Sequence, residues 1–134
     1  MLYIAYYVIY NISKGDMIFE IVFFKEDDGT KPLAVFIKSL DVKLKAKVVA
    51  NLHLLEEYGD RAREPLSKYL GNGIFELRSK EGNNIVRILY FFDKGKIIIA
   101  TNGFVKKTQK TPKSEIELAV KRRNKYFSER SIYE

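Results

Sequence analysis

The chain has 134 residues, 24 Lys+Arg against 17 Asp+Glu, one histidine and no cysteine. At 46% hydrophobic and 13% aromatic residues it has the material for one folded domain, which excludes disorder as its global description. Without cysteine there is no disulfide framework and no thiolate metal site. The single histidine excludes a zinc site built mainly from His and Cys, and a nuclease that needs one imidazole as base and another as acid.

The net charge of +7 is unevenly spread. Residues 1–103 carry 15 Lys+Arg and 13 Asp+Glu, whereas residues 104–134 carry nine and four. A basic C-terminal third suits a polyanion such as RNA or DNA, or serves only to keep a small protein in solution. No apolar run approaches the roughly 20 residues needed to span a bilayer, so no membrane partner is expected. The first segment, MLYIAYYVIY, has no basic residue before Lys14, contains four tyrosines and is followed by no small-x-small cleavage site, unlike a signal peptide. Residues 1–16 read as an N-terminal extension, and a single domain over 17–130 follows.

Residues 17–24 alternate and are rich in Ile, Val and Phe, which predicts a first strand. Glu26-Asp27-Asp28-Gly29 is a turn, and Thr30 is placed to cap a short helix over about Lys31–Leu40 with Pro32 in its first turn. Leu33, Phe36, Ile37 and Leu40 form its buried side. Asp41 caps a longer helix that ends near Tyr58, before Gly59. Its buried stripe is Leu44 or Ala46, then Val48, Val49, Leu52, Leu55 and Tyr58, with Lys43, Lys45 and Lys47 off the stripe. Residues 60–73 read as irregular. Three strands follow, IFELRS (74–79), IVRILYFF (85–92) and KIIIAT (96–101), whose short connections make an antiparallel meander. A loop over Asn102–Lys110 leads to a last helix, with Thr111 as cap and Pro112 at its first position. Ile116, Ala119, Val120 and Phe127 form its apolar side. The fold class is α+β in the order β-α-α-β-β-β-α, a twisted, mainly antiparallel sheet packed on an αα-hairpin, with the second face of the sheet partly open.

Alternation along the strands puts Ile74, Glu76 and Arg78 on one face, and Arg87, Leu89 and Phe91 likewise on one face. In a meander, Arg78, Arg87, Lys106 and Lys107 converge on the open face, a cationic cluster that favours phosphate. Plainer readings stand beside this. Arg78 can pair with Glu76 or Glu81 as a surface bridge worth about 0–1 kcal/mol. Arg87 can be a structural arginine, and Lys106, Lys107 and Lys110 a solvated loop. His53 reads as a partly exposed helix residue rather than a catalyst. The strand aromatics read as core, with one or two free to stack on bases.

The stretch from Gly71 to Phe127 resembles the HigB-type, phage-derived branch of the RelE/ParE toxin superfamily. The matching pieces occur in one order: Gly73–Arg78 (GIFELR), Arg87–Tyr90 (RILY), Gly103-Phe104, Lys106-Lys107, Thr111-Pro112 and the helix Glu115 through Arg123. The resemblance covers about residues 17–127. It implies the toxin of a type II toxin–antitoxin pair, a cytoplasmic endoribonuclease that cuts mRNA on the ribosome. The implied chemistry is attack of the ribose 2′-hydroxyl on the adjacent phosphate, leaving a 2′,3′-cyclic phosphate, with no metal and no cofactor. It implies a cognate antitoxin partner, a HigA-like helix-turn-helix protein, in a hetero-oligomer. Arg78 matches a phosphate-stabilising arginine of the family, and Lys106 or Lys107 its cation after the last strand. Arg87 matches a recurrent strand arginine, catalytic or structural. Lys110, Lys113, Arg122 and Arg123 are the expected further RNA contacts. The tyrosine that many members carry after the cation is missing from Pro112–Ile116, as is the Asp-Tyr-His ending of others. The other readings are a ParE-like gyrase inhibitor and a non-catalytic nucleic-acid-binding module.

Overall fold

Glu20–Phe23 forms β1, and its alternation puts Ile21 in the core while Glu20 and Val22 face out. In the computed structural model, which describes residues 18–107 and 110–133 with side chains to 130, the expected extension and Met17 lie outside the described residues. α1 (Pro32–Ser39) and α2 (Val42–Tyr58) make the αα-hairpin. Pro32 opens α1, whose cap position is Lys31; Thr30 lies one residue earlier, its N–H donating to Asp28 Oδ1 at 2.9 Å. Asp41 caps α2 as expected, Oδ1 accepting the Leu44 N–H at 2.9 Å. Gly59 ends α2 at φ +53°, where an ideal Cβ would lie 2.1 Å from Phe19, so glycine is needed twice over.

Four further strands follow: β2 (Ser67–Gly71), β3 (Ile74–Glu81), β4 (Asn84–Asp93) and β5 (Ile97–Val105). The sheet order is β1-β5-β4-β3-β2, with β1 parallel to β5 and the other pairs antiparallel. The expected order holds, with one strand added. β2 lies in the stretch read as irregular and pairs with β3 through the Gly71-Asn72-Gly73 turn, whose three residues all have positive φ. β5 runs on to Val105, because β4 is long enough to pair with it that far; the expected loop begins only at Lys106.

The two sheet faces are covered unequally. The αα-hairpin packs on the face carrying Leu77, Val86, Ile88, Tyr90, Ile98 and Ala100. Of the alternatives in α2, Leu44 is buried and Ala46 exposed; Tyr58, counted with the stripe, is 43% exposed. The last helix, α3 (Lys113–Tyr133), crosses the other face and covers Ile74, Leu89, Phe91 and Ile99 with Ala119, Ile116, Val120 and Phe127. Its C-terminal half is held by Asp93, which accepts from the Tyr126 hydroxyl at 2.7 Å and from Arg130. Thr111 does not cap α3, which starts two residues later; its hydroxyl donates to Glu76 instead. The same face also carries Glu76, Arg78 and Arg87.

Tyr90 is buried under the hairpin, and its hydroxyl is hydrogen-bonded to Ser67 Oγ on β2. Burial pushes its pKa up to about 12, against a smaller opposing effect of the Ser67 bond. A folded-state pKa raised above the unfolded 10.0 gives stability that is complete below pH 10 and lost as the pH rises through 12. The expected loss is about 2–3 kcal/mol across that window. Tyr90→Phe removes this phase from the alkaline limb of a urea-denaturation series; an identical limb in wild type and variant refutes it.

Candidate active site

The strand register builds the site. Arg78 on β3 stands directly opposite Arg87 on β4, and Arg87 opposite Phe104 on β5. Two residues beyond Phe104, Lys106 shares that face by alternation, and its N–H donates to Ile85 O at 2.8 Å, which extends the ladder. In the neighbouring row Lys68 on β2 is paired with Glu76 on β3. Glu76, 1% exposed, lies at the centre. Its carboxylate is 3.2 Å from Arg87 Nε and 3.4 Å from Arg78 Nε, and accepts the Thr111 hydroxyl. Arg78 also approaches the exposed Glu64 at 3.7 Å, a weak surface bridge.

The backbone of Arg78 is held through both of its main-chain groups. Its N–H donates to Leu66 O at 2.8 Å, and its carbonyl accepts from Asn51 Nδ2 at 3.1 Å. A side chain carried on such a strand position is better fixed than one on a loop. The electrostatics follow from crowding. Burial lowers the Arg87 pKa, Glu76 raises it and Arg78 lowers it. The Lys106 ammonium is held below the ordinary lysine range by burial and then by Arg87, with Glu76 opposing and Arg78 and Lys68 adding to the effect. A crowded lysine of this kind is easier to deprotonate.

The structure therefore brings Arg78, Arg87 and Lys106 to one place. Lys107 is exposed and falls on the opposite parity of the chain, so it is not part of the group. Lys110 and Lys113 are exposed at the start of α3. Arg122 and Arg123 are drawn into the fold instead. Arg122 donates to Thr101 O and Glu26 Oε1, both at 3.0 Å, and lies over Phe24. Arg123 lies over Phe127 and against Gly73, where a Cβ would come within 2.8 Å of Nε. His53 is partly buried beside Glu56, 4.0 Å away, and is not among the residues that ring Glu76.

Two members of the cluster were missed by sequence reasoning. Glu76 was seen only as a partner for Arg78, not as the buried carboxylate that two arginines share. Lys68 was invisible once residues 60–73 read as irregular; the Gly-Asn-Gly turn after Lys68-Tyr69-Leu70 was the signal for a strand there. Among the described residues no three His, Cys, Asp or Glu side chains are grouped to hold a metal ion. No described helix is long and apolar enough to cross a membrane.

This arrangement can bind a phosphate and stabilise extra negative charge on it. The family described as "Phage derived protein Gp49-like (DUF891)" matches residues 35–124, a span that holds the whole cluster. A protein of Mycobacterium tuberculosis strain H37Rv named "Probable endoribonuclease HigB1" is 37% identical over 102 residues, covering 75% of this chain and 78% of the relative. Its counterpart in strain CDC 1551 / Oshkosh matches to the same extent. The chain belongs to the phage-derived Gp49-like family, the HigB-type branch of the RelE/ParE toxin superfamily.

Proposed function

We propose that this protein is the toxin of a type II toxin–antitoxin pair and an endoribonuclease that cuts mRNA on the ribosome. The observation that carries the reading is the grouping of Arg78, Arg87 and Lys106 on one face of the sheet, with the buried Glu76 between the arginines. In the proposed reaction the neutral amine of Lys106 takes the proton of a ribose 2′-hydroxyl. The 2′-oxygen bonds to phosphorus, the bond from phosphorus to the 5′-oxygen breaks, and that oxygen is protonated from water. The products are a 2′,3′-cyclic phosphate and a 5′-hydroxyl. Arg78 stabilises the charge that grows on the non-bridging oxygens. Arg87, tied to Glu76 and 11% exposed, sets the position of the group and adds to its field. No step requires a metal or a cofactor. The ribosome supplies alignment of the RNA, which replaces further catalytic groups. The partner is a cognate antitoxin, a HigA-like helix-turn-helix protein, forming a hetero-oligomer with the toxin in the cytoplasm.

Expression of the chain alone arrests bacterial growth, and primer extension finds new cuts in translated mRNA while DNA supercoiling by gyrase continues. Intact transcripts with inhibited gyrase would establish the ParE-like activity instead. RNA binding that weakens with salt, without any cut, would establish a non-catalytic module.

The two lysines are expected to differ. Lys106→Ala lowers single-turnover cleavage by about 10²-fold, the usual size of a general-base contribution. Lys107→Ala stays within a few-fold of wild type. The wild-type rate climbs with pH as Lys106 loses its proton, with a midpoint below the ordinary lysine value of 10.5. Equal losses from both substitutions, or a profile indifferent to Lys106, would remove it from the role of base.

A further inference from the structure

The edge of β3 is open where β2 stops. Pairing with β2 ends at Ser67 and Leu77, and the last link is the Arg78 N–H to Leu66 O. In an antiparallel strand alternate residues present their N–H and C=O to the same side. The main-chain groups of Lys80 therefore point to this open edge, as those of Arg78 do. A pocket of about 430 Å³ wraps around it. Arg78 and Arg87 reach the pocket from the cationic face, while Lys47 and Asn51 reach it from α2 on the opposite face. The volume falls in the range of small-ligand sites, roughly 300–1,000 Å³.

The lining is built for a nucleotide. Leu66 and Ile85 give it apolar walls. Asn51 Nδ2 donates to Arg78 O at 3.1 Å and to Ser79 Oγ at 3.0 Å. A backbone carbonyl can only accept, so this bond fixes which way the amide faces and leaves Oδ1 as an acceptor. Ser79 Oγ accepts from Asn51 and keeps its own proton to donate. Lys47 and Lys80 are exposed, and neither is paired with a carboxylate among the described residues. Lys80 lies two residues along β3 from Arg78, about 6.6 Å, comparable to the step between successive phosphates of a single strand.

We infer that the RNA passes around the open end of β3, with the nucleotide next to the scissile phosphate seated in this pocket and its outer phosphate held by Lys47 and Lys80. Lys47 is thus a substrate-positioning residue on the face of the sheet opposite the cationic cluster. The inference rests on the nuclease reading above, and adds to it the path of the substrate and a place where a base is read. The continuity of the pocket with Arg78 and Arg87, and hydrogen-bonding groups of both kinds in a small volume, favour RNA over a protein partner.

A chemical double-mutant cycle tests it. Ribosomes are programmed with mRNAs carrying a neutral methylphosphonate at one or the other phosphate flanking the cut. With wild-type protein, neutralising the contacted phosphate raises KM about tenfold, the scale of one charged contact, and leaves kcat unchanged. Lys47→Ala raises KM on normal mRNA by a smaller factor, because Lys80 still holds the phosphate, and combining the two costs less than the product of the separate effects. Lys43→Ala, on the same helix but outside the pocket, serves as the control and behaves as wild type. Additive losses at both phosphates, or a Lys47→Ala protein indistinguishable from Lys43→Ala, overturn the inference. Should wild-type protein leave programmed ribosomes uncut, the nuclease reading fails and the pocket is judged separately. The probe is then a labelled six-nucleotide RNA, 2′-O-methylated throughout, followed by fluorescence anisotropy. Each lysine removed, Lys47 or Lys80, lowers the slope of log affinity against log salt by about 0.7. An unchanged slope overturns the pocket; a protein ligand that competes for Lys47 while the RNA does not bind overturns it as well.

Discussion

Arg78→Ala gives a folded protein that no longer arrests growth, its cleavage slowed by about 10²–10³-fold, the loss typical of one well-placed transition-state donor. The size follows from position. Arg78 is clamped through its own backbone to Leu66 and Asn51, and its side chain is 24% exposed, open enough to meet a phosphate and enclosed enough to act in a reduced dielectric. Neither backbone bond depends on the side chain, so β3 stays in place in the variant. The ion pair with Glu76 is lost, but Glu76 keeps Arg87 and the Thr111 hydroxyl. The circular dichroism spectrum is therefore retained, and the defect falls on kcat rather than KM, since the charge that Arg78 meets grows only in the transition state. Arg78→Lys recovers part of the rate, because an ammonium supplies charge without the fork of donors. Full cleavage by Arg78→Ala would place the active site elsewhere. A loss confined to KM would make Arg78 a binding residue only.

Much of this was legible in the chain because the residues that build the frame are the ones whose spacing carries information. Period-two runs marked the meander, and alternation along its strands put Arg78 and Arg87 on one face; that the two stand directly opposite each other follows from the strand pairing itself. Asp41 and Gly59 bounded α2 because a cap and a left-handed terminus each need a particular side chain. What was not legible depends on contacts between distant segments. β2 is only five residues long and half exposed, so its hydrophobic pattern is faint; its existence rests on pairing with β3. Thr111 is drawn away from capping by Glu76, 35 positions earlier in the chain. Lys106 and Lys107 look alike in sequence, and only the continuation of β5 to Val105 decides which of them faces the arginines. Arg122 and Arg123 read as a basic surface because nothing local shows that Glu26, Thr101 and Gly73 fold up against them. The buried carboxylate is the clearest case. Glu76 alternates like any strand residue, and its burial follows from Thr111 and two arginines closing over it.

Removing that carboxylate has the largest effect expected on stability. Glu76→Gln keeps the volume and a hydrogen-bond acceptor for Thr111 but deletes the negative charge between Arg87 and Arg78. Breaking a buried pair by taking one partner away costs about 3–5 kcal/mol, because the remaining charge stays desolvated. Arg87 is the charge left behind, and with Arg78, Lys106 and Lys68 nearby the site would hold cations alone. For a domain of this size the melting temperature falls by roughly 10 °C or more. Glu76→Leu does no better, since apolar volume does not neutralise the arginines. Pairing Glu76→Leu with Arg87→Met recovers much of the stability, because the uncompensated charge goes with its partner. The same substitution has a second readout in the chemistry. Glu76 is the group that raises the Lys106 pKa against burial and the arginines. Without it that pKa falls further, so the rising limb of cleavage against pH moves to lower pH in the Glu76→Gln protein, even as its total activity drops with the loosened arginines. Lys107→Ala has no such shift. A Glu76→Gln protein with unchanged melting temperature would show that the carboxylate is not the tie that holds the arginines. A pH profile that stays in place would show that Lys106 is not the group that takes the proton.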